Sequence, residues 1–351
     1  MQNKFLSGSE EDFHKFISSI SKNKKIGIVT HTDLDGIASA IFLQKILESR
    51  GLDISFIEFI NYSNGILKKF FDKDFDVLFF TDCNVDMYLE DFEELRKKGD
   101  VFVIDHHPIN ENLEDLKNIL KTPYWYCSSH CLFDLAKNYF DTNPWKWLVC
   151  SSILADYTWD KSDENFELIK KVYPNVKKDL SIWNSEPGKI AKLINGALIY
   201  YTPDYKKVYD LILKKDWDSL EDANSIITKE INYWIEKSKK EAEYFEKQNL
   251  YFYFMNPEHN VVSTVVSILS DREFKKGTSI FVSELKDNSN MIKVSARDQI
   301  GGIDLGILLR KCVEGFENAS AGGHAKASAG TFPKKYLEEF KKNLLRELKN
   351  G

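Results

Sequence analysis

Four short apolar runs dominate the first third of the chain: KKIGIVT at 24–30, DISFIEF at 53–59, FDVLFFT at 75–81 and DVFVID at 100–105. Each is a near-continuous run of β-branched and aromatic residues, the pattern of strands buried on both faces of a parallel sheet. Between them, 36–50 and 85–99 carry apolar residues at helical spacing and stop at Gly51 and Gly99, where a glycine can end a helix. This βαβα order predicts an α/β domain built on a parallel sheet. From Trp145 to about Trp217 the pattern is helical, with Pro144, Pro187 and Pro203 at starts or interruptions, and predicts a helical cap for the sheet.

Residues 219–248 contain no Gly or Pro and are charged and amphipathic, which predicts one long connector helix. Beyond it, 250–256, 279–285 and 291–297 read as strands, 261–271 and 303–313 as helices, and PKKYLEEFKKNLLRELK as a terminal helix. The expected organisation is a domain over 1–218, the connector over 219–248 and a smaller α/β domain over 249–351. No internal repeat or low-complexity tract interrupts it.

Length and composition fit this picture. The 351 residues suffice for two domains at roughly 150 each, and 43% hydrophobic with 29% charged residues is globular. No stretch approaches the roughly 18 unbroken apolar residues of a spanning helix. The N-terminal MQNKFLSGSEEDFHKF has neither an apolar segment nor a small-residue cleavage site, so a cytoplasmic location without membrane attachment is expected. Five scattered cysteines read as reduced, buried thiols, and Cys127, His130 and Cys131 lack the second ligand pair of a zinc site. A net charge of −6 gives no whole-molecule attraction to nucleic acid, which leaves a local basic groove as the way to bind it.

The chemistry is concentrated after the strands. The first runs into His31-Thr-Asp33-Leu-Asp35-Gly36, the third into Asp82 and the fourth into Asp105-His106-His107. In an open parallel sheet the ligand crevice lies at the carboxyl ends of the strands, so these loops should converge, with Gly36 permitting a tight turn into the helix. Asp156, in SSILADYTWD, supplies a fourth carboxylate. Two such charges about 4 Å apart repel by about 4 kcal/mol at an effective dielectric near 20, so a cation is needed among them. Carboxylates with imidazoles and no thiolate favour Mn²⁺ or Mg²⁺ over zinc, and four negative charges balance two divalent ions, the arrangement for phosphoester hydrolysis. Each motif alone has a plainer reading, as a turn, a solvated loop or a cap; their joint occurrence in one sheet favours a site. Asp134 and Asp160 read as ordinary surface acids.

A second constellation lies near the C-terminus. Residues 321–330 pack three glycines and four alanines around His324 and Lys326, and backbone amides in such a turn can form an anion-binding concavity. Upstream, Ser295 and Arg297 share one face of a strand, and Arg suits bidentate phosphate contact. The plainer reading is a glycine loop for close packing beside an arginine in a surface ion pair.

HTDLDG, the acid of FTDCN, DHHP and the acid of ILADYTWD resemble the four motifs of the DHH phosphoesterase superfamily. AGGHAKASAG with VSAR resembles the DHH-associated C-terminal domain of the RecJ-like branch, and the match spans residues of about 24–335. The resemblance implies that His31, Asp33, Asp35, Asp82, His106 and Asp156 hold two divalent ions, Mn²⁺ preferred and Mg²⁺ second, with Asp82 bridging. Asp105 would orient a ligand and His107 would sit near the scissile phosphate. Ser295, Arg297, Gly322, Gly323 and His324 would hold the substrate's other phosphate or terminal nucleotide across an interdomain cleft.

Finer features separate branches of the superfamily. HxDxDG followed by Ser39 is similar to RecJ-type exonucleases, whereas nano-RNases and cyclic-dinucleotide hydrolases tend to carry HxxPDxDA. Pyrophosphatases and exopolyphosphatases of the superfamily have a different second domain, and Cdc-type replication scaffolds have lost ligands that are all present here. The Lys- and Ile-rich composition resembles archaeal members. The leading expectation is a single-strand-specific exonuclease that acts on DNA or RNA, releases mononucleotides and serves DNA repair. A chain of this length leaves little room for a further strand-binding domain, so it should release its substrate after few cuts. The alternatives are a hydrolase of short oligonucleotides or a nucleoside bisphosphate phosphatase, and a replication or repair scaffold whose charged helix docks a protein partner. Tyr62, Tyr124, Trp125 and Tyr157 are candidates to stack bases, with core packing as the plainer role of each.

Overall fold

The computed structural model describes residues 4–61, 65–109, 117–286 and 288–350; Tyr62 lies outside the described residues. The chain divides into two compact units, Met1–Asn224 and Ser225–Gly351. In chain order the first unit contains α1 (Glu10–Ser19), β1 (Ile26–His31), α2 (Leu34–Ser49), β2 (Ile54–Ile60), β3 (Val77–Thr81), α3 (Leu89–Lys98), β4 (Asp100–Asp105), β5 (Ile119–Lys121) and α4 (Ser128–Ala136). It continues through α5 (Lys146–Ala155), α6 (Asp163–Val172), α7 (Glu186–Tyr201) and α8 (Tyr205–Lys214), and α9 (Trp217–Glu241) runs across the division.

The five strands form one parallel sheet in the order β2-β1-β3-β4-β5. Chain direction across the sheet therefore reverses between β1 and β3, the switch point where α/β sheets of this kind open a crevice. Both faces are covered, as the apolar runs require. Ile26, Ile28, Phe79 and Phe102 pack under α1, α2, α4 and α5, while Val29, Leu78, Phe80 and Val103 pack against Phe92 and Leu95 of α3. Among the described residues no helix is long and apolar enough to cross a membrane.

The second unit contains β6 (Glu243–Phe245), β7 (Leu250–Phe254), α10 (Val262–Asp271), β8 (Thr278–Glu284), β9 (Met291–Arg297), α11 (Leu305–Cys312), β10 (Ser320–His324), β11 (Ala327–Pro333) and α12 (Leu337–Asn350). Its six-stranded sheet is mixed, in the order β10-β11-β9-β8-β7-β6, with β7 and β8 parallel and the other neighbours antiparallel. Ile280, Val282, Ile292, Val294 and Phe332 make one face of its core, closed by Leu305, Leu308, Phe340 and Leu344 of α11 and α12.

Three sequence expectations change. The connector helix stops at Glu241, short of 248, because Tyr244 pairs across a hairpin with Tyr251 and their rings lie 4.6 Å apart. An antiparallel aromatic pair there outcompetes continued helix. The segment 85–99 is split, with a 3₁₀ turn over Val85–Tyr88 before α3. The glycine-rich segment is no loop but the β10–β11 hairpin, paired from Ser320↔Thr331 to His324↔Ala327. At Gly323 the backbone takes φ +133°, and a Cβ would meet Ala327 O and Ser328 Oγ at 2.7 Å, so the glycine serves strand crossing. The pattern also failed to show α1, β5 and α4.

Candidate metal centre

The strand ends of the first sheet are tied together before any acid is considered. Thr30 Oγ1 donates to the Gly36 carbonyl at 2.6 Å and lies 3.1 Å from the Thr81 carbonyl, and Thr81 Oγ1 donates to Thr30 Oγ1 at 2.8 Å. These buried bonds hold the loops after β1 and β3 side by side. Gly36 lies so close to β1 that a Cβ would stand 2.3 Å from the His31 carbonyl oxygen, which is why the HxDxDG turn ends in glycine.

On this frame Asp33 caps α2, accepting from Gly36 N at 3.0 Å, and Asp35 points inward at 1% exposure. Asp35 accepts three bonds: Ser129 N at 3.1 Å and Ser152 Oγ at 2.8 Å on Oδ1, and Ser128 N at 3.0 Å on Oδ2. The two amides are the N-terminus of α4, whose exposed backbone donors favour an anion. Asp82 follows β3 in left-handed backbone at φ 56°, unusual for a residue other than glycine and typical of strain held at a functional position. It is 1% exposed, with His31 Nδ1 3.7 Å from Oδ2, and His106 Nε2 3.4 Å and His107 Nδ1 4.0 Å from Oδ1. Asp156 ends α5 with Oδ2 buried, without a hydrogen-bond partner, 3.8 Å from His106 Nδ1.

The charges are badly matched by protein alone. Burial and the neighbouring Asp35, Asp33 and Asp156 push the Asp82 carboxyl well above its usual range. Burial, then Asp35, push Asp156 up to about 8 despite His106. The protein crowded around Asp33 raises it too, although its side chain is half exposed, but His31 at 2.9 Å outweighs this and holds that carboxyl below the usual range. His31 and His106 both rise, because the surrounding carboxylates overcome the cost of burying an imidazolium.

Among the described residues, three groups of ligand atoms at these strand ends each lie within 4.8 Å of one another: His31, Asp33 and Asp82; Asp82, His106 and His107; and Asp35, Cys127 and Asp156; a fourth, His130, Asp134 and Glu164, shares no residue with them. The structure thus gathers all six residues expected to hold metal, with Asp82 common to two groups. The crowded acids, the histidines and the orphaned Asp156 oxygen fit a divalent cation. Cys127 stands beside Asp35 and Asp156 where no thiol was expected, and burial with those two acids keeps it protonated by raising its pKa.

Behind the ligands, Asp105 Oδ1 lies 2.7 Å from His107 Nδ1, and its Oδ2 accepts from Lys121 Nζ. Burial opposes ionisation of Asp105, but His107 and Lys121 pull its carboxyl well below the usual range, so it accepts and His107 Nδ1 donates. Lys121, Asp86 and the α4 serines were not foreseen. A Ser-Ser pair preceding an apolar run at 128–136 is the one signal that could have found α4. Asp134 is also more than a surface acid: it bonds Lys4, Lys137 and the Tyr126 hydroxyl. All five cysteines are free and buried. Of the aromatic candidates, Trp125 is core at 7% exposure, whereas Tyr124 and Tyr157 are 65% and 66% exposed. Tyr124 offers its carbonyl to His106 Nδ1 at 3.3 Å, and Tyr157 follows Asp156 directly.

In the second unit the hairpin register aligns Arg297 of β9 with Ala327 of β11 and Ala327 with His324 of β10. Residues paired in this way project to the same face, so the arginine and the histidine flank one methyl group. Arg297 Nε donates to Ser267 Oγ at 2.9 Å and a terminal nitrogen donates to Ala296 O at 2.8 Å, which fixes the guanidinium at the strand end. Ser295 is buried at 1% exposure, Gly322 accepts through its carbonyl from Ser328 Oγ at 2.7 Å, and His324 is exposed.

A doubly wound parallel sheet with acids and histidines gathered at its switch point, followed by a mixed-sheet unit, defines a two-unit α/β protein of phosphoesterase fold. Residues 25–157 match the N-terminal domain of the DHH family and 247–350 match the DHHA1 domain. The chain belongs to the DHH superfamily and carries a C-terminal DHHA1 domain. Among solved structures it is similar to exonuclease RecJ bound to manganese, at 16% identity and TM-score 0.71 over 98% of this chain and 94% of that one. It is also similar to RecJ of Thermus thermophilus in complex with Mn²⁺, at 15% identity and TM-score 0.69; 97% of this chain is covered but only 55% of that protein's length. CDC45 from Entamoeba histolytica shares the fold at 13% identity and TM-score 0.63, over 97% of this chain and 98% of that one. No curated protein matches the chain in sequence.

Proposed function

We propose that the protein is a metal-dependent phosphodiesterase that acts as a single-strand exonuclease on DNA or RNA and releases mononucleotides. The observation that carries this reading is the convergence of His31, Asp33, Asp82 and His106 into two groups that share Asp82, with Asp35 and Asp156 together in a third. These six would hold two divalent ions, Mn²⁺ in preference to Mg²⁺, with Asp82 contributing to both. Bound ions would lower the pKa of an attacking water and neutralise charge on the phosphoryl oxygens.

The chain's own groups supply the rest. Asp105 holds the proton of His107 on Nδ1, so Nε2 is the ring atom left to meet an oxygen of the scissile phosphate. Asp35 is fixed by the α4 amides and needs no reorganisation to take up a cation. Arg297 and His324, flanking Ala327, suit a second phosphate of the strand, and Gly322 and Gly323 keep that face low enough for it to approach. Ser295, being buried, supports the strand end beside Arg297. Tyr124 and Tyr157, exposed beside the ligands, suit unstacked bases and so favour single strands.

Digestion of end-labelled DNA and RNA ladders, from dimers upward, with Mn²⁺, Mg²⁺ or chelator tests the reading. Stepwise shortening of long single strands to mononucleotides with metal, and none in chelator, is expected. Cleavage of only dimers to tetramers, with long strands untouched, overturns it in favour of a short-oligonucleotide hydrolase.

A further inference from the structure

Lys121 closes β5 with its side chain wholly buried, and a lysine is rarely so placed unless its charge is matched. Its ammonium has three protons to give. Four acceptors surround it: Asp105 Oδ2, Asp86 Oδ1 at 2.9 Å, Asn84 Oδ1 at 3.0 Å and the His107 carbonyl at 3.2 Å. They come from the loop after β3, the end of β4 and the segment that follows it. The backbone of Lys121 is anchored as well. Its residue is in register with Asp105, its N–H donates to Ser7 O at 3.0 Å, and its carbonyl accepts from Leu6 N at 2.8 Å.

Neither Asp86 nor Asp105 belongs to the three ligand groups. The two oxygens of Asp105 are divided, one to Lys121 and one to His107 Nδ1 at 2.7 Å. Take the ammonium away and Asp105 is a buried carboxylate with one partner, close to Asp82 and able to turn from His107.

We infer that Lys121 is a positioning residue for the reaction: it clamps Asp105 and the His107 carbonyl together so that the His107 ring presents Nε2 in a single orientation. This rests on the reading of His107 as the group that meets the scissile phosphate. Nothing in the DHH motif itself contains this lysine, which reaches the motif from the neighbouring strand.

The test uses the full chain, with Lys121→Gln and, because that removes the ammonium shared by two buried acids, the double variant Lys121→Met with Asp86→Leu. Each is measured for thermal midpoint, Mn²⁺ affinity, kcat and KM on a single-stranded oligonucleotide, and the ¹⁵N–¹H resonance of His107 Nδ1 in metal-free protein. Mn²⁺ affinity and KM should stay within about threefold while kcat falls at least about 30-fold, and the His107 resonance should shift or vanish. A folded variant with kcat and resonance unchanged overturns the inference. So does loss of kcat in step with loss of Mn²⁺ affinity, because a scaffold of the ligand groups would behave that way. Should both variants unfold, the wild-type spectrum decides: absence of a slowly exchanging His107 Nδ1 proton overturns the clamp, and its presence supports it. A wild-type protein that hydrolyses no nucleic acid, yet shows the resonance and its dependence on Lys121, overturns the exonuclease reading alone.

Discussion

Replacing Asp156 by asparagine should make the metal-free protein more stable while spoiling its capacity for metal. The Asp156 carboxyl is 19% exposed, and burial, followed by the charge of Asp35, pushes its pKa from 3.8 to about 8. Between those values the fold holds a proton that the unfolded chain releases. The group's contribution to stability is therefore complete below about pH 4 and drains away as the pH rises through 8. At pH 7.5 the loss is at most about 5 kcal/mol, at about 1.4 kcal/mol per pH unit. Asp82 shares the same repulsion, so one neutralised carboxyl recovers about half of this, about 2–3 kcal/mol. Asparagine has nearly the same shape, and Oδ2 of the aspartate makes no hydrogen bond that would be lost. For a protein of this size the gain corresponds to a rise in Tm of about 3–4 °C. Thermal unfolding in chelator at pH 7.5 and pH 5 measures it, and the gain should shrink toward about 1 kcal/mol at the lower pH. Saturating Mn²⁺ should reverse the order of the two proteins at pH 7.5, since only the aspartate gains from the ion. An asparagine variant no more stable than wild type in chelator at pH 7.5, or equally favoured at pH 5, would refute the picture of crowded, cation-seeking acids.

Asp82→Ala should be the most damaging single ligand change, with hydrolysis reduced by at least about 1,000-fold and calorimetric Mn²⁺ uptake impaired at both groups that share it; a near-normal rate contradicts the assignment. Gly36→Ala forces a Cβ to within 2.3 Å of backbone at His31, so a stability loss of about 1–3 kcal/mol and weaker Mn²⁺ binding are expected in denaturant and calorimetric titrations. Arg297→Ala should weaken oligonucleotide binding by about 2 kcal/mol in an anisotropy titration and leave Mn²⁺ affinity unaltered, while metal loss would place the residue in the other constellation.

The apolar runs revealed the four long strands because a strand buried on both faces needs continuous hydrophobicity, and the acids stood out because they break those runs at one end. The glycine-rich segment was legible as special but not as a hairpin. Gly322 and Gly323 suit a turn by themselves, and only pairing with Ala329 and Ser328 turns them into strand. β5 has just three residues, too few for a period. Lys121 was invisible for a different reason: a lysine at the end of a short apolar run looks like a solvated end, and its burial depends on Asp86 and Asp105, 35 and 16 positions away in sequence. The Ser-Ser pair could have marked the start of α4, but nothing in it tells that the amides of Ser128 and Ser129 face Asp35, since any sequence that starts a helix there would offer them.

With two ions bound as proposed, that grip on Asp35 would make the two sides of the centre unequal in time. Asp35 is held by three protein donors at 1% exposure, whereas Asp33 keeps its side chain about half exposed, at 49%. An ion taken up beside Asp35 and Asp156 would sit in a preset, sheltered place and exchange slowly. One beside His31 and Asp33 would lie at the rim and trade readily with solution. A sample washed free of loose metal would then be half loaded, and any metal preference read from reactivating it would belong to the rim ion alone.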